Sequence, residues 1–439
     1  MPGAVIQKQR KYSGGYMSHF STPRRARIGA SILALATLLA TGPSIVAQAQ
    51  SGDIMVPKFE ADPYWPKPLP NHWLMGNTIG LDVDRNDNVW VIHRPQTLEF
   101  METYRTRGES DCCTAAPDVL TFNQAGDVIK HWGKAAGHDW PTSNHGITID
   151  KDGNVWLGGN GAEQPGPAAG TMAQFAADAK RTPGAGEGGE GGRYHDSFIL
   201  KMSPDGKFLG EIGKANGSKG SLDTENVKGV ALVRFLPGTN EIVAADGYGN
   251  HRVSVWDAAS LKFKRMWGAY GKKPSDANIP PYNPKSPQFG NPVHCAEPTN
   301  DGLLYVCDRM NNRVQIFKFD GTFVREFVIE PKSKGDGTPW GIAFSKDAQQ
   351  KFMFIIDGTN EKIHVYDRAS EKELYWFGGG GRLAGQFYAV HNISTDSKGN
   401  LYTTETYRGQ RVQKFVYKGM VPLSQLIKEG RVGNSLINP

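Results

Sequence analysis

Cysteine is scarce in this sequence. Four occur in 439 residues, at Cys112, Cys113, Cys295 and Cys307, with no C-x-x-C and no Cys/His spacing of the zinc-finger kind. Acidic residues are absent from positions 1–50, which carry Lys8, Arg10, Lys11, Arg24, Arg25 and Arg27. With those six set aside, 44 basic residues face 44 acids, so the formal charge of +6 belongs to the leader. The neutral remainder excludes a bulk electrostatic case for nucleic-acid binding. Apolar runs long enough to span a bilayer are also lacking. The run from Ile28 to Ala40 is too short and is followed by Gly42-Pro43.

That run, preceded by Arg24, Arg25 and Arg27 and followed by Ala47-Gln48-Ala49, has the form of a secretory signal peptide over residues 1–49, cut after Ala49. An uncleaved anchor is the alternative. A secreted or periplasmic chain with no membrane span after cleavage is expected. Export permits disulfides. Cys295 and Cys307 fall on two strands joined by one turn, which suits a cross-strand bridge. Cys112-Cys113 reads either as a vicinal disulfide or as two free thiols.

Glycine is abundant (53) and proline frequent (27), which favours a turn-rich β architecture. One unit recurs six times, beginning at "IGLDVDRNDNVWVIHR", "HGITIDKDGNVWLGGN", "KGVALVRFLPGTNEIVAADGYGNHRVSVWD", "HCAEPTNDGLLYVCDRMNNRVQIFKFDG", "WGIAFSKDAQQKFMFIIDGTNEKIHVYD" and "HNISTDSKGNLYTTETYRGQRVQKF". Each copy alternates apolar strands with Asp/Gly/Asn turns, four strands to the unit. The pattern predicts an all-β chain with a six-bladed β-propeller over residues 70–420. Residues 50–69 read as an N-terminal extension and 421–439 as a C-terminal tail. A Gly-rich insertion at 161–193 and a Pro/Asn-rich loop at 272–292 hang from blade edges, where they could cover a channel mouth.

Aligned on their first strands, the copies place Ile79, His145, Lys228, His294, Trp340 and His391 at one level. Histidine occupies blades two, four and six. In a closed ring the first strands line the central channel, so alternate blades bring three imidazoles together about a pseudo-threefold axis. Three histidines with an open fourth position suit catalytic zinc. Channel histidines bonded to water or backbone are the structural alternative. Arg94, Tyr248 and Arg313 fall near the channel mouth at the ends of second strands. A cation beside Tyr248 would favour its phenolate and make it a base. Blade-tying contacts are the alternative for Arg313, and burial between blades for Tyr248.

At "VIHRP", "NHGITID", "DGYGNHR", "NPVHCAEP", "DRMNNRVQIF" and "AVHNIS" the chain resembles peptidyl-α-hydroxyglycine α-amidating lyase, a propeller of NHL-type repeats that is the second half-enzyme of peptide C-terminal amidation. The resemblance covers about residues 70–420. It implies zinc on His145, His294 and His391, a catalytic Tyr248, and substrate-side Arg94 and Arg313. It also implies calcium in the channel, near the carbonyls of Leu81 and Ile147 and the side chain of Asn392. Asn392 stands where the family has Asp, so calcium affinity should fall. Ala389 stands where the family has Met. The implied reaction is cleavage of an N-(α-hydroxyglycyl) C–N bond to an amide and glyoxylate. Its substrate would be a small molecule or peptide ending in such a group, and the enzyme a monomer. Two other classes compete. One is a non-catalytic NHL propeller acting as a periplasmic or extracellular binding scaffold. The other is a calcium-centred hydrolase or lactonase, which would gather Asp, Glu and Asn where this chain has histidines.

Overall fold

The computed structural model describes residues 53–134, 137–161, 195–430 and 432–433. The signal peptide and nearly all of the Gly-rich insertion lie outside the described residues. Six antiparallel sheets follow one another in chain order. Blade one is Asn77–Val83, Val89–Arg94, Val119–Phe122 and Val128–Trp132. Blade two is Asn144–Ile149, Val155–Gly159, Phe198–Met202 and Phe208–Gly213. Blade three is Val230–Phe235, Glu241–Asp246, Arg252–Asp257 and Phe263–Trp267. Blade four is Val293–Pro298, Leu303–Asp308, Arg313–Lys318 and Phe323–Val328. Blade five is Gly341–Phe344, Phe352–Asp357, Lys362–Asp367 and Lys372–Gly378. Blade six is Val390–Thr395, Leu401–Glu405 and Arg411–Pro422. The first strands touch their neighbours all round, blade six returning to blade one, so the molecule is a six-bladed β-propeller.

Local chemistry explains the hairpins. In "DRNDN", "DKDGN" and "DSKGN" the leading Asp carboxylate accepts amide hydrogens two and four residues on, and the closing Asn amide donates back to it. These Asx turns fix where the first strand ends. Asp84 and Asp150 also accept the indole hydrogens of Trp90 and Trp156. Apolar side chains fill the space between blades. Ile79, Ile92 and Val119 of blade one interleave with Ile147, Leu157, Phe198 and Leu200 of blade two. Each such burial is worth about 1.5–3 kcal/mol.

Blade six lacks a fourth strand from its own repeat. Met55–Ala61, from the stretch read as an N-terminal extension, pairs with Arg411–Pro422 and supplies it. Val432–Gly433, from the stretch read as a tail, adds a fifth strand to blade five. These partners are distant in sequence, and no local pattern announces them.

A buried charge ties the second strand to the third in several blades. Asp246–Arg252, Asp308–Arg313 and Glu405–Arg411 are cross-strand neighbours with N–O separations of 2.7, 2.8 and 2.6 Å. Blade five differs. The position opposite Asp357 holds Lys362, which reaches Glu330 instead. Fully buried His364 lies between Asp357 and Glu373, at 3.6 and 3.4 Å. Burial opposes its charge, but the two carboxylates outweigh burial and push its pKa up to about 9.

Two outcomes follow from these contacts. Removing residues 53–61 should lower the melting temperature by several degrees and promote aggregation, because it exposes the edge of Arg411–Pro422. An unchanged melting temperature and a monodisperse scattering profile would contradict this. The His364 pKa is raised in the folded state, so its contribution is complete below pH 6.5 and fades as pH rises through about 9. Melting curves of wild type should therefore drop more steeply between pH 7 and 10 than those of His364→Gln.

Candidate metal centre

The first strands share an irregularity that builds the site. Pairing with the second strand slips between Thr78 and Gly80, Asn144 and Ile147, Val230 and Leu232, Val293 and Cys295, and Val390 and Asn392. A bulge of this kind turns one residue out of the pleat. The residues within the slips are Ile79, His145 with Gly146, Ala231, His294 and His391. In blade five Trp340 holds the equivalent place, its amide donating to Ile356 just before the strand starts at Gly341. Ala231 therefore replaces Lys228 in the aligned tier. "KG" in blade three imitates "HG" in blade two, but Gly229 is a turn residue with φ of 69° ahead of the strand, whereas Gly146 lies inside one.

The register brings His145, His294 and His391 together. All three are buried, with exposures of 1%, 3% and 2%. Their ring centroids form a near-equilateral triangle of 5.1, 4.7 and 4.9 Å. One ligand atom from each lies within 4.8 Å of the others, and among the described residues this is the one such cluster of His, Cys, Asp or Glu. Every Nδ1–H is used in the same way. His145 donates to the carbonyl of Ala231 at 2.8 Å, His294 to that of Trp340, and His391 to that of Ile79 at 2.6 Å. The acceptor in each case is the tier residue of the next blade. That bond fixes the tautomer and leaves Nε2 with its lone pair toward the axis, the form a metal requires. Burial first, then neighbouring charge, holds His145 and His294 well below the ordinary imidazole pKa, so both stay neutral.

Tyr248 reaches into this triangle from the turn after the second strand of blade three, where the small Ala231 side chain stands. Its Oη is 3.0 Å from Nε2 of His145 and 3.0 Å from Nε2 of His294. A phenol has one hydrogen, so it cannot serve both lone pairs. The unmatched acceptor is the chemistry expected of a cation site, and the donor set fits zinc.

Arg309 is the cation over that phenol. Its Nη1 donates to Tyr248 Oη at 3.2 Å, and its guanidinium carbon lies 4.7 Å from the Trp340 ring centre. It is 3% exposed and its Nε has no partner. The structure places Arg313 elsewhere. Its Nε binds Asp308, and its other nitrogens reach Tyr270, Pro284, Gln288 and Glu326. It belongs to the blade ties and pins the 272–292 loop. The signal that separates the two arginines is the recurrence of that carboxylate–Arg pair in blades three, four and six. Arg309 falls outside the recurrence, directly after the strand end, in the same register as the turn that carries Tyr248. Arg94, also buried, donates to the Asn144 carbonyl and to Asn160 Oδ1, and its charge helps keep His145 neutral.

Leu81 and Ile147 sit two residues below the tier in blades one and two, with fully buried side chains. Asn392 follows His391 and brings no charge; its backbone N–H donates to Thr404 Oγ1. Ala389 holds φ of 53°, with its amide on Glu361. The paired strands put Cys295 opposite Cys307, and the two form a disulfide; Cys112 and Cys113 form another. Among the described residues no helix is long and apolar enough to cross a membrane.

No protein-family model matches the chain. It is similar to peptidyl-glycine alpha-amidating monooxygenase of Mus musculus, with 24% identity over 291 residues, 65% of this chain and 24% of the relative. The Rattus norvegicus protein of that name is 24% identical over 314 residues, 70% of this chain and 26% of the relative. The A form from Xenopus laevis is 23% identical over 259 residues, 57% and 22% of the two chains. The similarity is distant. The chain spans about a quarter of the length of these curated relatives.

The two arginines should separate experimentally. Arg313→Ala leaves Asp308 buried and unpaired and should cost about 3–5 kcal/mol, read by denaturant unfolding. Arg309→Ala should cost less than Arg313→Ala in the same measurement, because it leaves no buried carboxylate without its cation. Elemental analysis should find stoichiometric metal in wild type and loss of that metal in His294→Ala.

Proposed function

We propose that this chain is an exported, zinc-dependent carbon–nitrogen lyase that cleaves an N-(α-hydroxyglycyl) compound to an amide and glyoxylate. The observation that supports it most is the convergence of three carbonyl-anchored imidazoles on one point with Tyr248 Oη between two of them and Arg309 above it. The distant similarity to amidating proteins points the same way.

Zinc on the Nε2 atoms of His145, His294 and His391 would supply a Lewis acid for the substrate's hydroxyl oxygen. Tyr248, with Oη beside two of the imidazoles, acts as the base in this reading. As phenolate, stabilised by the adjoining guanidinium of Arg309, its Oη takes the hydroxyl proton. The freed electron pair forms the aldehyde C=O of glyoxylate, the C–N bond breaks, and the amide nitrogen leaves with the proton returned from Oη. The Arg309 guanidinium, whose Nε has no partner in the protein, would hold the substrate carboxylate, a task for a planar fork. Trp340 stacks on that guanidinium and limits where it can move. Arg94 adds positive potential on the opposite flank. The buried disulfide of blade four suits an oxidising compartment, as the leader's form does.

Wild type should release glyoxylate from α-hydroxyhippurate, and Tyr248→Phe should be slower by about 10²–10⁴-fold. Arg309→Lys should raise KM and lower kcat together, because the fork is lost although the charge remains. Wild-type release no faster than that of Tyr248→Phe overturns the lyase reading and favours a binding scaffold.

A further inference from the structure

Below the histidine tier the channel carries a second charged level, which the lyase chemistry does not use. Counting three residues down each first strand from the tier gives Asp82, Thr148, Arg234, Glu297, Ala343 and Ser394. Arg234 is the centre of this level. Its Nε donates to Glu297 Oε2 at 2.9 Å and its Nη1 to Thr148 Oγ1 at 2.8 Å. The same Nη1 reaches the carbonyl of Val233 at 3.3 Å. Thr148 Oγ1 also donates to that carbonyl. One guanidinium thus ties the first strands of blades two, three and four. Asp82 of blade one completes the group, its carboxylate accepting the amide of Ile149. Burial opposes the charge on Arg234, yet Glu297 and Asp82 outweigh it and hold the guanidinium firmly protonated.

Val233 is the blade-three equivalent of Leu81 and Ile147, whose carbonyls the family resemblance would give to calcium. The carbonyl at that level in blade three is already engaged by a cation, and that cation belongs to the protein. The side chain that should bring negative charge, Asn392, is neutral. The nearby carboxylate of Glu297 is spent on Arg234. A divalent ion at this level would meet a fixed guanidinium in place of free oxygen ligands, so the residues present do not fit calcium.

We propose that Arg234 is a built-in channel cation that takes over the structural place of a dissociable calcium ion. A tethered charge needs no ion from the medium and cannot be lost to a chelator. The inference concerns the frame of the channel and stands or falls separately from the lyase reading.

The test measures stability and metal content, not turnover. Protein stripped with EGTA is melted after add-back of calcium alone, zinc alone, or both. Wild type should show less than about 1 °C of shift with calcium and hold no stoichiometric calcium as purified, whatever zinc does. Arg234→Met keeps most of the side-chain volume and removes the charge, leaving Asp82 and Glu297 without their cation. It should melt lower, and calcium should raise its melting temperature by several degrees. Arg234→Lys keeps a tethered cation and should remain insensitive to calcium, which covers the case in which the methionine variant does not fold. Stoichiometric calcium in wild type, a wild-type melting temperature that calcium restores, or a calcium response in Arg234→Lys overturns the proposal.

Discussion

The structure hangs on one hydrogen bond made three times. Each channel histidine donates its Nδ1 hydrogen to the carbonyl of the tier residue in the next blade. That bond aims Nε2 at the axis and at the same time fastens one blade to its neighbour. Ligand geometry and ring closure are therefore the same interaction. It demands close backbone approach, which explains Gly80 and Gly146. A Cβ at either would lie 2.4 or 2.5 Å from the carbonyl oxygen of His145 or Ala231. No side chain larger than hydrogen fits there, so the glycine in "HGITID" is a condition for the histidine before it.

Positive charge is distributed with matching economy. Arg252 and Arg313 are spent inside blades, where a buried guanidinium needs a carboxylate and carbonyls to offset its desolvation. Arg309 is buried as deeply, but faces the phenol of Tyr248 and an indole, with one N–H unpartnered. An arginine held in this way keeps binding capacity in reserve. The difference between a structural and a chemical arginine lies in what its donors already hold.

Much of the architecture was legible in the sequence because a propeller repeats its physics locally. Asx turns, alternation and apolar first strands recur every blade, and the phase of His145, His294 and His391 is visible only by comparing copies. Legibility failed where local likeness misled. "KG" before Val230 looked like "HG" before Ile147, and three residues of shift followed. For Arg313 the recurring carboxylate–Arg spacing already pointed to a blade tie, but its further partners Tyr270, Pro284 and Gln288 come from a stretch with no periodicity. The fourth strand of blade six was illegible for a different reason. Its pairing partner lies at the other end of the chain.

That last arrangement has a consequence for how the molecule comes into being. Lys58 and Glu429, 371 positions apart, meet at 2.9 Å beside the seam between the first and last strands. A chain emerging from N to C terminus must keep Met55–Ala61 unpaired until the whole circle has been made. The strand of the ring that appears first is thus the last to find its place, and blades one to five wait on it for a closed ring. Order of synthesis and order of assembly run in opposite directions here.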